Sequence, residues 1–502
     1  MGVARAAGWS WWWWIMLVAA ILLGPRPAAA GPEGAYYASD SEGVFWFVHV
    51  SDIHIGAGWP EPSYGVANLG RLLGEVVATI QPAFVVATGD LTDGSANGVP
   101  ISGQDQGEWD QYKGIYTSAG MSGDTYYDVI GNHDLYGDDA DTIRYYLNNS
   151  LQGQLRQEAH FGWSYTTSLG EYYFYAFNCM GTRLAPFTMG VGAIPQGDLD
   201  ALQEALDQHQ GARLRLAFAH QGLGTPSNGG LAEDMLASAQ AHFFHGHWHV
   251  YSDYLVGGGQ VVVNQVNSLG QAQRNNVGVA AIDHDAVAYR ATSIEQPWPF
   301  VVITAPMAHT LRSGSLHPWA YDVCAGRPNN PVRALVFNPT APTSVDVRVG
   351  GLGPWPLTPL AAPAGLYAGT MDTSSLAPGV YDVMVTAVAG SATASDTVAV
   401  NFVAGPCADL PGPDGGLPGD DAGAGADAAA DGDLPDAGGE AGDRGLAEAA
   451  VTDGGAEPAA GNPSDGGCGC RTTGLRGRVA LPPLLLALAF LLRHRRTRSR
   501  SS

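Results

Sequence analysis

Lysine is almost missing from this chain: among 502 residues Lys113 is the only one. Charge of either sign is sparse, 14% of residues, and acidic groups outnumber basic ones 48 to 24, for a formal net charge of −24. Binding a nucleic-acid backbone draws on clustered Lys and Arg. That composition argues against a bound nucleic acid, apart from nucleotides as substrates. There are five cysteines, Cys179, Cys324, Cys407, Cys468 and Cys470. Cys324 and Cys407 bracket one β-rich segment and are the pair expected to bond; Cys179 is then a lone thiol, expected to be buried. The two longest apolar runs, Trp9 to Leu23 and Val479 to Leu492, are short or marginal for a membrane span.

Glycine and proline, by contrast, are abundant, 68 and 32 residues, so part of the chain is expected to stay unpacked. The composition shifts divide it into five parts. Residues 1–30 read as a secretory signal: Arg5, an apolar stretch, then small residues at Ala28-Ala29-Ala30. From 40 to 297, apolar runs such as VFWFVHV, AFVVATGD and LRLAFAH each close on Asp, Asn or His. They alternate with helix-like stretches at Val66–Ile80, Asp198–His209 and Leu231–Ser238. Polar residues collected at strand ends are where α/β sheets place their sites. From 298 to 404, short alternating segments split by Gly and Pro predict an immunoglobulin- or fibronectin-like β-sandwich. Residues 405–467 hold 14 Asp or Glu and one Arg among Gly, Ala and Pro, an acidic spacer without the apolar area to fold. Residues 468–502 follow as GCGC, a short apolar run with Pro482 and Pro483, and an arginine-rich end. This last order resembles the myxobacterial C-terminal sorting tail. It implies export and attachment to the outer membrane, the cell surface or the periplasmic side of a membrane.

Five short motifs occur in the 40–297 segment: Asp52-Ile53-His54, Gly89-Asp90-Leu91-Thr92-Asp93, Gly131-Asn132-His133-Asp134, His220, and Gly246-His247-Trp248-His249. Each alone is weak, but their order, strand-end placement and two-residue spacings together are a strong signal. In FFHGHWHV, His245, His247 and His249 alternate; an extended chain would line them on one face.

The set resembles the calcineurin-like metallophosphoesterases. The stretches VFWFVHVSDIHI, QPAFVVATGDLTD, EWDQYKGIY and PWPFVVITAP resemble, more narrowly, a membrane-associated branch in which the catalytic domain precedes a β-rich domain. The resemblance implies an α/β, four-layer fold: a central β-sandwich flanked by helices, around a two-metal site. It assigns Asp52, His54 and His249 to one metal, Asn132, His220 and His247 to the other, and Asp90 to both, since two nearby cations need a shared anionic ligand. Mixed His, Asp and Asn ligation suits Fe, Mn or Zn rather than Mg or Ca. The same resemblance makes His133 the proton donor to the leaving oxygen and Asp93 the carboxylate that orients it. His245 matches no motif position and is expected to pack or to support a ligand.

The function so implied is hydrolysis of phosphate mono- or diesters by in-line attack of a metal-bridging hydroxide, in an exported, surface- or membrane-tethered protein. The rival is a catalytically weak surface binding or adhesion protein that recognises a phosphorylated ligand. Substrate contacts are expected from the loops Gly94–Gly107 and Thr182–Gln196, with Arg71, Arg144, Arg156 and Arg183 weighed as phosphate clamps and favoured as surface ion-pair residues.

Overall fold

A computed structural model describes residues 41 and 43–404 except for 57–63, 138–142, 182–183, 187–189, 272–274, 296 and 312–321. The signal segment, the acidic spacer, Cys407, Cys468, Cys470 and the C-terminal tail lie outside the described residues, as does Arg183. No helix among the described residues is long and apolar enough to cross a membrane.

The chain enters with β1 (Val44–Val50), every residue of which is buried. Its period of two separates two jobs. Phe45 and Phe47 enter a core between two sheets, while Trp46, Val48 and Val50 face the helices. Helix α1 follows in three pieces, Gly65–Arg71, a π-turn Leu72–Val76 and Val77–Ile80. It buries Leu69, Leu72, Leu73 and Val76 against the sheet. Then come β2 (Val85–Thr88), α2 (Gln106–Ser118, capped by Asp105 through Gly107 N), β3 (Tyr126–Val129), and the short helices α3 (Arg144–Asn149) and α4 (Leu151–Arg156). The second half runs β4 (Phe161–Thr167), β5 (Gly170–Ala176), α5 (Gln196–Gln208), β6 (Leu214–Phe218), α6 (Gly229–Ala239), β7 (His242–His245), β8 (Ser252–Val256), β9 (Val261–Gln265), β10 (Asn276–Asp283) and β11 (Ala286–Ser293).

These strands form two sheets, ordered β11-β10-β1-β2-β3 and β4-β5-β6-β7-β9-β8. The centres are parallel, as the buried apolar runs lead one to expect. β10 joins β1 antiparallel, and β10–β11, β4–β5 and β8–β9 are antiparallel hairpins, while the edge strand β3 stays parallel to β2. An aromatic core of Phe47, Phe84, Trp163, Phe174, Phe218 and Phe244 fills the space between the sheets. Helices cover both outer faces, giving the four-layer α/β arrangement.

Nine further strands make two more sheets. β12 (Phe300–Ala305), β14 (Asn330–Phe337), β18 (Leu366–Met371) and β17 (Thr358–Pro359) form one; β13 (Asp322–Cys324), β20 (Ala392–Val403), β19 (Gly379–Ala389), β15 (Ser344–Val349) and β16 (Leu352–Pro356) form the other. Their facing valines enclose a separate core. Cys324 is disulfide-bonded; Cys179 is free and buried.

The β-rich region is joined to the α/β region by more than a linker. Phe300, Val302, Leu335 and Phe337 belong to the same buried cluster as Trp46, and the Trp46 and Phe337 rings meet edge to face at 5.6 Å. Across this seam Arg333, fully buried, grips Asp283 with Nε to Oδ2 at 2.9 Å and Nη2 to Oδ1 at 2.6 Å. Thr304 donates its hydroxyl to the same carboxylate at 2.8 Å.

Candidate metal centre

All five motifs sit immediately beyond the C-terminal ends of parallel strands. β1 delivers Asp52 and His54, β2 delivers Asp90 and Asp93, and β3 delivers Asn132 and His133. From the other sheet β6 delivers His220, and β7 delivers His247 and His249. Both sheets therefore point the same kind of strand end at one edge of the sandwich.

The backbone there is unusual. Asp52, His54, Asp90, His247 and His249 all have φ between 48° and 72°, a left-handed conformation that non-glycine residues seldom take. Sterically costly backbone of this sort persists where the surroundings enforce it, and it gathers at functional sites. It also corrects the reading of the histidine row. β7 ends at His245, and the chain then turns at each histidine, so the three rings do not share one strand face. Gly246 is needed at this turn because a Cβ there would run into Ser51 and Asp52.

Seven side chains converge. His54 Nε2 lies 3.3 Å from His249 Nε2 and 3.7 Å from Asp90 Oδ2, and His249 Nε2 lies 3.1 Å from Asp52 Oδ1. His220 Nε2 lies 2.9 Å from Asn132 Oδ1, 3.1 Å from Asp90 Oδ2 and 3.3 Å from His247 Nδ1. The Asn132 amide is oriented by Tyr136, whose hydroxyl accepts from Nδ2 at 3.3 Å, leaving Oδ1 to face the site. His220 Nδ1 lies 2.7 Å from the Thr88 carbonyl, which can only accept, so Nδ1 carries a proton; whenever the ring is neutral, Nε2 is a lone pair aimed at Asn132 Oδ1 and Asp90 Oδ2. Likewise His54 Nδ1, 3.2 Å from Asp93 Oδ1, leaves Nε2 facing another imidazole nitrogen. Acceptors set against acceptors, in a buried place, call for a cation between them. The donor sets Asp52/His54/His249 and Asp90/His220/His247 each bring their ligand atoms within 4.8 Å of one another. The residues present therefore fit divalent cations.

The electrostatics agree. Burial alone would raise the carboxyls of Asp52 and Asp90, but facing histidines, chiefly His249 for Asp52 and His220 for Asp90, hold both well below the ordinary range. Burial lowers His220, and the pull of Asp90 outweighs it, lifting the imidazole to about 9. A proton thus competes for the place a cation would take. His247, with less carboxylate help, is pushed down by burial to about 4.

The calcineurin-like phosphoesterase family profile matches residues 45–268, the span that carries every one of these loops. The chain carries a calcineurin-like phosphoesterase domain. Mouse transmembrane protein 62 is 26% identical over 352 residues, 66% of this chain and 52% of the mouse protein. An Arabidopsis thaliana protein named "Putative metallophosphoesterase" is 27% identical over 129 residues, 24% of this chain and 17% of its own length. The chain thus spans about half or less of the length of these curated relatives. Among solved structures, GAP50, the anchor in the inner membrane complex of Plasmodium, aligns at 12% identity and TM-score 0.36 over 51% of this chain and 86% of that one; a score so low carries no argument.

Two residues expected to act on the leaving group adjoin these donor sets. His133 places Nδ1 2.9 Å from the Asp93 carbonyl and 3.5 Å from Asp93 Oδ1. Burial lowers this imidazole, but Asp90 and Asp93 together carry it up to about 10. Its side chain remains 17% exposed where Asp90 and Asp93 are 2%, so of the three it is the one solvent can reach. Asp93, held below the usual range by its bonds to His133 and His54 against the effect of burial, also accepts from Ser95 Oγ and from Gln271 Nε2.

His245 is fully buried, with Nδ1 3.0 Å from the Gly246 carbonyl and Nε2 3.0 Å from the Tyr254 hydroxyl; it supports the turn. The arginines do not supply a clamp among the described residues. Arg71 pairs with Glu75, Arg144 lies over Tyr145, and Arg156 bonds Gln152 and lies over Phe161. Sequence reasoning named Asp134 in its motif without giving it a role, and passed over Gln221 and Gln271. Asp134 accepts from Gly131 N, Leu91 N and Thr92 N and so ties the second and third loops together. Gln221 Nε2 lies 3.2 Å from His247 Nε2. A polar residue adjoining each motif was the available signal for the first two; nothing marked Gln271.

Proposed function

We propose that the domain is a phosphoric-ester hydrolase using two divalent ions, one held by Asp52, His54 and His249, the other by Asn132, His220 and His247, with Asp90 shared. The observation that carries this is the convergence of acceptor atoms on Asp90 Oδ2, 3.1 Å from His220 Nε2 and 3.7 Å from His54 Nε2. Ions such as Fe, Mn or Zn supply Lewis acidity toward phosphoryl oxygens and lower the pKa of water there. The chain's own residues do the rest. With Nδ1 committed to Asp93, His133 has Nε2 free to donate to a phosphoryl oxygen and to protonate the departing alkoxide, a poor leaving group without a proton. Asp93 keeps that ring charged and turned toward the site. Ligand recognition without turnover would need no such donor, which favours the hydrolase over the binding protein.

The N-terminal apolar run and the cysteine motif, apolar run and arginine-rich end support export and tethering of this activity at a membrane or cell surface. The facing sheets after residue 300 support a sandwich of immunoglobulin kind. The test is elemental analysis of the purified protein together with assays on paired mono- and diester substrates in added Mn. About two ions per chain with turnover is the expected result. Folded protein that stays metal-free after reconstitution with Fe, Mn and Zn would sink the proposal.

A further inference from the structure

The start of α2, and the residue just before its cap, reach toward both loops of the acid–base pair without touching the site itself. Glu108 is 5% exposed. Its Oε2 accepts from Gly94 N at 3.0 Å, and both oxygens approach Ser95 N, at 3.3 and 3.4 Å. Ser95 in turn donates its hydroxyl to Asp93 Oδ2. Gln104, also buried, donates Nε2 to the His133 carbonyl at 2.8 Å and the Tyr136 carbonyl at 3.1 Å, while its Oε1 accepts from Trp109 Nε1 at 2.9 Å. One short stretch, residues 104–109, therefore grips the carboxylate loop with one side chain and the histidine loop with another.

The Gly94 N–H and the Asp93 C=O belong to a single planar peptide unit. Glu108 accepts from the N–H end of that unit; His133 Nδ1 donates to its C=O end. Burial pushes the Glu108 carboxyl up to about 8, so it acts here as an accepting oxygen; an acceptor on the N–H polarises the unit and makes its carbonyl a stronger acceptor, as hydrogen bonds in a chain reinforce one another. The loops are packed closely here. A Cβ on Gly94, whose φ is +61°, would come 2.7 Å from the His133 carbonyl, and one on Gly56 would collide with the Glu108 side chain. Little room is left for His133 to find another partner once this unit is fixed.

We infer that Glu108 and Gln104 are positioning residues for the acid–base pair, Glu108 acting on His133 through the Asp93–Gly94 peptide unit and Gln104 through the His133 carbonyl. The inference rests on the phosphoesterase reading and assigns a role to a helix which that reading leaves unused.

The test compares Glu108→Gln with the wild type on an alkyl phosphate and on an activated aryl phosphate. Metal content should stay at the wild-type level. Turnover of the alkyl ester should fall about 10- to 100-fold, the range seen for outer supporting residues, and the aryl ester much less. In a His133→Ala background the same change should have no further effect on the alkyl ester. Gln104→Met, which leaves the carboxylate in place, should show the same leaving-group signature and keeps the inference testable should Glu108→Gln not fold. Equal loss on both esters, or a loss that persists without His133, would overturn it. If the wild-type protein binds metal but hydrolyses neither ester, the phosphoesterase reading fails. The positioning role is then judged by the His133 ring N–H in ¹⁵N-histidine spectra: protected in the wild type and exchanging fast in Glu108→Gln supports it, no difference overturns it.

Discussion

Asp90 and Asp283 are both carboxylates buried to within 2% of complete, yet they serve opposite ends. Asp283 receives two N–H groups from Arg333, a hydroxyl from Thr304 and, on Oδ1, His284 Nδ1 at 2.8 Å. Every partner is a donor supplied by the chain, and the result is a seam between two regions. Asp90 receives the His133 backbone N–H on Oδ1 at 2.8 Å, but its Oδ2 faces the imidazole nitrogens of His54, His220 and His133 at 3.1 to 3.9 Å. Two of those rings have their protons committed elsewhere. A buried charge whose countercharge is a fixed guanidinium is structural; one faced by imidazoles that can each give up a proton is a place where a cation can enter. The comparison can be broken by changing either cluster.

Asp90→Ala should have the largest effect. The two donor sets would lose their common member, metal content should fall, and turnover should drop on the order of 10³-fold or more. Elemental analysis beside an ester assay checks it; full metal occupancy in the variant would contradict the sharing of Asp90. His133→Ala tests the histidine proposed to carry a proton instead of a metal. Metal should be retained, and alkyl esters should lose about 10²- to 10⁴-fold while activated aryl esters lose far less. A uniform loss would remove the proton-donor role.

At the seam the readout moves from activity to stability. Arg333→Met strips the built-in cation from a buried carboxylate and should cost about 3–5 kcal/mol in denaturant unfolding, with metal content of the folded protein unchanged. Adding Asp283→Asn should recover a large part, because the penalty is chiefly that of a lone buried charge. A loss of metal in Arg333→Met would mean the two clusters are coupled and the contrast between them is false.

The contrast also separates what the chain discloses locally from what it does not. VFWFVHV became β1 residue for residue, and the helices expected at Val66–Ile80, Asp198–His209 and Leu231–Ser238 formed within two residues of those limits. Local pattern sufficed because apolar runs and amphipathic periods register burial directly. Helix α2 was missed: Gly107 and Gly114 lower its propensity, and tertiary contacts of Trp109, Tyr112 and Tyr116 hold it in place. The residues that converge at the candidate site were legible as strand-end motifs, but their left-handed backbone was not, since GHWHV read alone alternates like a strand. Asp283 and Arg333 lie 50 residues apart, and Glu108 lies 14 beyond Gly94; pairing at such range is set by topology, which a single sequence does not print.

The smallest effect is the most diagnostic of the seam. Burial raises the Asp283 carboxyl, but Arg333, with His284 beside it, more than reverses this and brings it to about 2 from an ordinary 3.8. A depressed carboxyl contributes stability above its unfolded value and loses it as the pH falls through the folded value. The seam should therefore give its full contribution above about pH 4 and shed roughly 2 kcal/mol between there and about pH 2. The metal-ligand carboxylates also titrate in acid, so the wild type alone would mix the two clusters. Subtracting the unfolding free energy of Asp283→Asn/Arg333→Met at each pH removes that common part, because both proteins keep Asp52, Asp90 and Asp93. A difference that shrinks only below about pH 4 would identify the ion pair as its source. A difference flat through that window would mean that the seam is held by Trp46, Phe300 and Phe337, with the charges contributing nothing net.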